Sequence, residues 1–215
     1  MSKLAHIDTW IFDLDNTLYP PSCKLFDQIA ERMNEYIIAN MGLSREAAIK
    51  LRHVYFKKYG TTLRGLMLEH GWEPTPYLEY VHEIDYDAVK FHPGLKAAIE
   101  NLPGRKLVFT AGTRAHARNV LKNLDCSDTF EDIFDIHDAG FIPKPSAEPY
   151  ELFLTRHGIT PERSIFFEDI VENLIVPRAM GMKTVLVGRQ DEALLPAHVD
   201  YVTADLAEFL NGALK

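Results

Sequence analysis

Cysteine is scarce in this chain of 215 residues, which holds only Cys23 and Cys126. The two form no CxxC pair or other ligand spacing, so the sequence offers no thiolate metal site and suits a reducing cytoplasm. Long hydrophobic runs are missing as well. None approaches the ~18 uninterrupted apolar residues of a membrane span. The opening stretch MSKLAHIDTWIFDLD has no apolar run long enough for a signal peptide before Asp8 and Asp13 interrupt it. The expectation is therefore a cytoplasmic protein with no membrane partner. Basic residues are outnumbered, 23 Lys and Arg against 31 Asp and Glu for a net charge of −8. That balance disfavours a nucleic-acid polymer, whose backbone is bound by clustered Lys and Arg. It leaves room for a small anionic ligand, which needs only a local positive site. Internal repeats and low-complexity segments are also lacking.

What is present is an ordinary globular composition, 47% hydrophobic and 25% charged. A chain this long buries roughly 70% of its unfolded surface and needs no metal or disulfide to fold. Short apolar, β-rich runs alternate with helical patterns. Ile7–Asp13, Lys106–Thr110, Ser164–Glu168 and Lys183–Gly188 read as strands buried on both faces, with Asp200–Thr203 a weaker fifth. Helix-like apolar spacing covers Arg114–Leu124, Ala147–His157 and Val171–Met180, the last interrupted at Pro177, which opens a second short helix. This alternation predicts an α/β fold with a Rossmann-like, doubly wound, mostly parallel sheet.

One stretch does not alternate. From Pro20 to Val89 the patterns are all helical. Leu25, Ile29, Met33, Tyr36 and Ile37 recur on one face, Ser44 opens a second helix continued by Leu51, Val54 and Tyr55, and Thr62–His70 and Pro76–Glu83 supply two more. The expected organisation is a core of residues 1–19 and 90–215 with an all-helical cap at 20–89. An insert directly after the first strand sits over the carboxyl edge of such a sheet, where ligands bind.

The reactive side chains fall at those carboxyl ends. Asp13-Leu14-Asp15-Asn16-Thr17 closes the first strand, Thr110-Ala111-Gly112 the second, and Glu168-Asp169 another with Asn173 four residues on, while Lys144-Pro145 sits in a loop before a helix. Each alone has an ordinary explanation as a turn, cap or surface residue. Together they converge on one crevice. Like charges ~4 Å apart repel by about 4 kcal/mol at an effective dielectric near 20, so Asp13, Asp15, Glu168 and Asp169 require protons or a cation. Carboxylate donors without neighbouring His or Cys favour Mg²⁺ over zinc. A divalent cation, a lysine and a hydroxyl beside backbone N–H groups suit a phosphate, and with the charge offset a carboxylate can approach phosphorus.

The ordered set DxDxT at Asp13–Thr17, Thr110, Lys144 and Glu168-Asp169 resembles the haloacid-dehalogenase-like phosphohydrolases over the whole chain. Within that superfamily, DLDNTLYP, YGTTLRGLM, TRAHARNVLKNL, PKPSAEPY and FFEDIVENL look most like the pyrimidine 5′-nucleotidase branch. The resemblance implies that Asp13 attacks phosphorus to form an aspartyl-phosphate. It implies that Asp15 protonates the leaving alkoxide and then activates water. Thr110, Ala111 and Gly112 would hold phosphoryl oxygens with Lys144, which also pairs with Asp13. Mg²⁺ would bind Asp13, the Asp15 carbonyl and Asp169, with Glu168 beside it. Two departures stand out: Ala111 replaces the more usual Asn, and Glu168 the more usual Asp.

The implied activity is a Mg²⁺-dependent phosphomonoesterase acting on pyrimidine nucleoside 5′-monophosphates, the partner being this small phosphomonoester and the protein a monomer or homodimer. Alternatives are a phosphatase for phosphoglycolate or a sugar phosphate, a 2-haloacid dehalogenase, and a phospho-accepting signalling domain. Asp15 and the Glu168-Asp169 pair argue against the dehalogenase, and the long helical insert against the signalling domain. Arg64, Tyr19 and Arg114 are candidate specificity residues, with His53, Tyr55 and His116 further possibilities. The nine histidines form no HExxH or comparable pair and read as surface and packing residues.

Overall fold

The structure is a computed structural model and describes residues 4–188 and 195–213; the outermost parts of the expected core, 1–3, 189–194 and 214–215, lie outside the described residues. Among the described residues six strands form one parallel sheet: β1 (Thr9–Phe12), β2 (Arg105–Phe109), β3 (Asp132–Phe134), β4 (Ser164–Glu168), β5 (Lys183–Val187) and β6 (Tyr201–Thr203). Their order is β3-β2-β1-β4-β5-β6, with every described pairing parallel. The five strands read from the sequence are present. The sixth, β3, is a correction to that reading: three residues, Asp132-Ile133-Phe134, are too few to show a pattern.

Strand alternation sends successive side chains to opposite faces. Trp10, Phe12, Val108, Ile165 and Phe167 pack on one side, and Ile11, Leu107, Phe109 and Phe166 on the other. Helices cover both faces, so the middles of the strands are apolar on both sides, with charged residues such as Arg105, Lys106, Asp132 and Lys183 at their amino ends. α5 (Pro93–Glu100), α6 (Arg114–Asn123) and α9 (Leu206–Ala213) complete the Trp10 side. α7 (Ala147–His157) and α8 (Ile175–Ala179) complete the Ile11 side. The chain runs outward from β1 through β2 to β3, then returns to place β4 against the other edge of β1. That reversal opens a crevice at the carboxyl ends of β1 and β4, where Asp13 and Glu168 stand.

The insert after β1 forms α1 (Leu25–Met41), α2 (Arg45–Tyr59), α3 (Thr62–His70) and α4 (Pro74–Val81). The Ser44 and Thr61 hydroxyls accept from the backbone N–H of Ala47 and Arg64 at 3.2 and 3.1 Å, capping α2 and α3. Ile29, Ile37, Tyr55, Leu66, Tyr77 and Leu78 give the four helices a core of their own. Two residues depart from the expected faces. Leu25 packs into the sheet-side core instead, and Val54 is exposed. The α2 and α3 axes approach closely because Gly65 has no side chain: a Cβ there would lie 2.4 Å from the Tyr55 ring.

Candidate active site

Asp13 follows β1 directly, and its N–H donates to Phe167 O at 2.9 Å, locking it beside the end of β4. The next turn is tight, with Asn16 at φ 61°, a left-handed conformation that Asn tolerates better than most residues. Lys144 reaches this edge from the loop before α7. Its Nζ donates to Asp13 Oδ1 at 2.7 Å, Glu168 Oε2 at 2.7 Å and Phe109 O at 3.1 Å. All three charged side chains are buried. Glu168 Oε1 also accepts from Ile170 N at 3.2 Å, so both of its oxygens are engaged.

Asp13, Glu168 and Asp169 each offer a carboxylate oxygen within 4.8 Å of the others. Burial is the largest influence on each and raises their pKa values. Neighbouring carboxylates raise them further, and Lys144 pulls back only in part; Asp169 is pushed up to about 6. For Lys144 burial works against the charge, but Asp13 and Glu168 outweigh it and hold the ammonium on. Three carboxylates thus share one lysine. The donor set is hard oxygen, short of positive charge, and fits a divalent cation of the Mg²⁺ type. The Asp15 carboxylate is not part of this cluster.

Asp15 is held elsewhere. Its Oδ1 accepts from Tyr19 Oη at 2.5 Å and from His116 Nε2 at 2.8 Å. His116 Nδ1 lies 3.1 Å from the Tyr86 hydroxyl, and its ring stacks on that of His82 with centroids 4.5 Å apart. Burial alone would raise the Asp15 pKa, but the charge and hydrogen bond of His116, with the Tyr19 bond, lower it below the usual carboxylate value. Burial, with His116 beside it, drops His82 to about 3, so its ring is neutral at ordinary pH. The reading of the histidines as surface and packing residues is corrected here. His82 lines the crevice and fully buried His116 grips Asp15. The one sequence signal was the position of His116 in the first turn after the Thr110 loop.

A cavity of about 330 Å³ runs between the sheet edge and the inserted helices. Asp13, Asp15, Lys144, Glu168 and Asp169 line its sheet side, together with Ala111 and Gly112. Thr110 is buried just behind, its Oγ1 accepting from Gly112 N at 2.9 Å. Of the specificity candidates, Tyr19 is buried behind Asp15 and outside the lining. Arg64 lies on α3 and does not line the cavity. Arg114 is turned away, pairing with Asp132 at 2.7 Å and Asp138 at 2.8 Å. His53 does line the cavity, whereas Tyr55 bonds His70 at 2.7 Å within the helical core. Arg52 and Asn173 line the cavity too, and of these only Arg52 was missed. The first sits on a face that periodicity alone could not orient. The second follows Asp169 by one helical turn, its signal in the sequence.

A doubly wound parallel sheet with a lysine-bridged carboxylate cluster at its topological switch point defines a Rossmann-like α/β protein. The model of haloacid dehalogenase-like hydrolases matches residues 7–181, and the chain belongs to that family. Among known proteins it is 26% identical over 195 residues to phosphate metabolism protein 8 of Saccharomyces cerevisiae, covering 82% of this chain and 60% of that protein. The chain thus spans less than two thirds of that relative's length. It is 29% identical over 206 residues to the glyceraldehyde 3-phosphate phosphatase of Methanothermobacter thermautotrophicus, covering 89% and 88% of the two chains. In structure it resembles CbbY from Rhodobacter sphaeroides in complex with phosphate, with a TM-score of 0.69, 19% identity and coverage of 97% and 100%. Among the described residues no helix is long and apolar enough to cross a membrane.

Proposed function

We propose that this chain is a Mg²⁺-dependent phosphomonoesterase that works through an aspartyl-phosphate on Asp13, with pyrimidine nucleoside 5′-monophosphates as its substrate class. The observation that carries the reading is the Lys144 ammonium 2.7 Å from both Asp13 and Glu168 at the floor of the cavity. Lysine offsets the charge of a carboxylate that must approach a phosphoryl dianion. Residues 20–89 act as the cap and residues 1–19 and 90–215 as the core.

In this reading an Asp13 oxygen forms the new bond to phosphorus as the ester P–O bond breaks. Asp15 delivers a proton to the departing alkoxide, then accepts one from the water that cleaves the acyl phosphate. Its bonds to Tyr19 and His116 favour the ionised form that the second step uses. The first step requires the carboxyl to loosen from them and take up a proton from solvent, which it then passes to the alkoxide. The Ala111 N–H and the Thr110 hydroxyl donate to phosphoryl oxygens, while the Gly112 N–H, bonded to Thr110 Oγ1, orients that hydroxyl. Asp13, Asp169 and the Asp15 carbonyl would hold Mg²⁺ with Glu168 beside it, and the ion would supply further countercharge to the phosphoryl group.

The test is phosphate release with Mg²⁺ from UMP and CMP set against AMP, GMP, phosphoglycolate and glyceraldehyde 3-phosphate. The expected result is preference for the pyrimidine nucleotides, lost by on the order of 10⁴-fold or more in Asp13→Asn. Turnover confined to the small phosphates overturns the substrate class alone. Near-normal turnover by folded Asp13→Asn overturns the nucleophile.

A further inference from the structure

The far wall of the cavity has a cation that makes no ion pair among the described residues, although the Glu31 carboxylate feels its charge. Arg52, on α2 and half-buried, lines the cavity. Its Nε donates to Oδ1 of Asn34 at 3.2 Å, and Nη2 lies 3.4 Å from Nε2 of His53. Asn34 is itself buried on α1, a position where an amide persists only if it is bonded; here it braces the guanidinium. Glu31, near the same end of α1, is held by Arg45 instead, with Nη2 to Oε2 at 2.7 Å. No carboxylate makes an ion pair with Arg52 among the described residues. Around it the wall is apolar and aromatic: Phe26, Ile29 and Met33 from α1, Phe56 from α2, Tyr77 and Leu78 from α4.

The Nε donor is satisfied by Asn34, whereas the Nη groups, partly open to water, have only His53 beside them and can serve a further acceptor. Flat and apolar neighbours suit a ring, and the fork of N–H groups suits a carbonyl or carboxylate at the ring's edge. Lys144, already committed to Asp13 and Glu168, does not serve that second acceptor. We propose that Arg52 is a specificity residue for the leaving group, and that the cavity takes phosphomonoesters whose leaving group carries a ring bearing a hydrogen-bond-accepting edge that meets its guanidinium. This rests on the phosphomonoesterase reading, which anchors the other end of the substrate.

The experiment compares kcat/KM of the full-length wild type, Arg52→Gln and Arg52→Lys, each checked for native circular dichroism. The substrates are phenyl phosphate, 3-carboxyphenyl phosphate, UMP and ribose 5-phosphate, all with Mg²⁺. The wild type is expected to favour at least one acceptor-bearing ring ester over both phenyl phosphate and ribose 5-phosphate by about 10- to 100-fold. Arg52→Gln is expected to shrink that ratio about tenfold, and Arg52→Lys to fall between. A lead for UMP identifies a carbonyl edge as the ligand, and a lead for 3-carboxyphenyl phosphate a carboxylate. A ratio unchanged in folded Arg52→Gln, or a wild type indifferent to the acceptor, overturns the assignment while the phosphatase reading stands. A wild type that hydrolyses none of the four, nor the nucleotides and small phosphates above, overturns the phosphatase reading and this inference with it.

Discussion

His116, which has no exposed surface, places Nε2 2.8 Å from Oδ1 of Asp15, 101 residues earlier in the chain. The bond joins the first turn of α6 to the loop after β1, and His82, stacked on the same imidazole, extends the contact into the end of the helical insert. A hydrogen bond to a buried charge contributes about 1.5–3 kcal/mol. His116→Ala is therefore expected to cut kcat by roughly 10- to 100-fold with a smaller change in KM, because Asp15 loses its orientation while the groups proposed to hold the phosphate remain. His116→Gln, whose amide can still donate toward Asp15, should recover part of the loss. Steady-state kinetics on both variants checks this, and equal defects would mean that the imidazole acts through packing alone.

Lys144 lies between two acids that have no other cation within ion-pair distance among the described residues. Removing the lysine leaves both Asp13 and Glu168 buried without a cation partner, so Lys144→Met is expected to lower unfolding free energy by about 3–5 kcal/mol. Adding Glu168→Gln removes one of the stranded charges and should restore part of that stability. Denaturant titration of the single and double variants measures the difference. Absence of any recovery would trace the loss to the lysine stem and not to the stranded charge.

The sheet-edge half of the site was legible in the sequence for a simple reason. Asp13, Lys144 and Glu168-Asp169 each border a strand or loop that the apolar runs mark clearly, and a parallel sheet gathers such ends in one place. The helical half was not. Arg64 and Arg52 both lie on helices of the insert, and only the packing of α2 on α1 through Asn34 decides that the second lines the cavity and the first does not. Arg114 opens α6 beside the Thr110 loop, yet Asp132 and Asp138 draw it away. Asp132 belongs to β3, the strand too short for its pattern to show, so the partner that captures Arg114 was itself invisible.

Gly65 tests how closely the insert is packed. A methyl group there would lie 2.4 to 2.6 Å from three atoms of the Tyr55 side chain, and Tyr55 is pinned by its bond to His70 at 2.7 Å. Gly65→Ala would relieve a helical glycine, which alone favours the variant by up to ~1 kcal/mol. Overpacking of a fixed ring works the other way by about 1–3 kcal/mol and is expected to win. A lower melting temperature, together with altered near-ultraviolet dichroism from the tyrosines, is the predicted result. Stabilisation by the alanine would mean that α2 and α3 separate freely.

Acid should loosen the sheet edge at β3 in a defined way. Burial would raise the Asp132 pKa, but hydrogen bonds from Arg114 and His157 and the charge of Arg114 outweigh it and hold the carboxyl down at about 2. A depressed folded-state pKa means that the unfolded chain binds the proton more readily. The contribution is therefore complete above the unfolded value near 3.8 and disappears as pH falls through about 2. Asp132 is partly open to water, so screening keeps the effect to on the order of 1 kcal/mol. Asp132→Asn should lower stability at pH 7 by that amount and flatten the dependence on pH between about 4 and 2. Urea titrations of wild type and variant across that interval would show the two curves converging as the acid end is approached; parallel curves would mean that Arg114 and His157 are held by other partners.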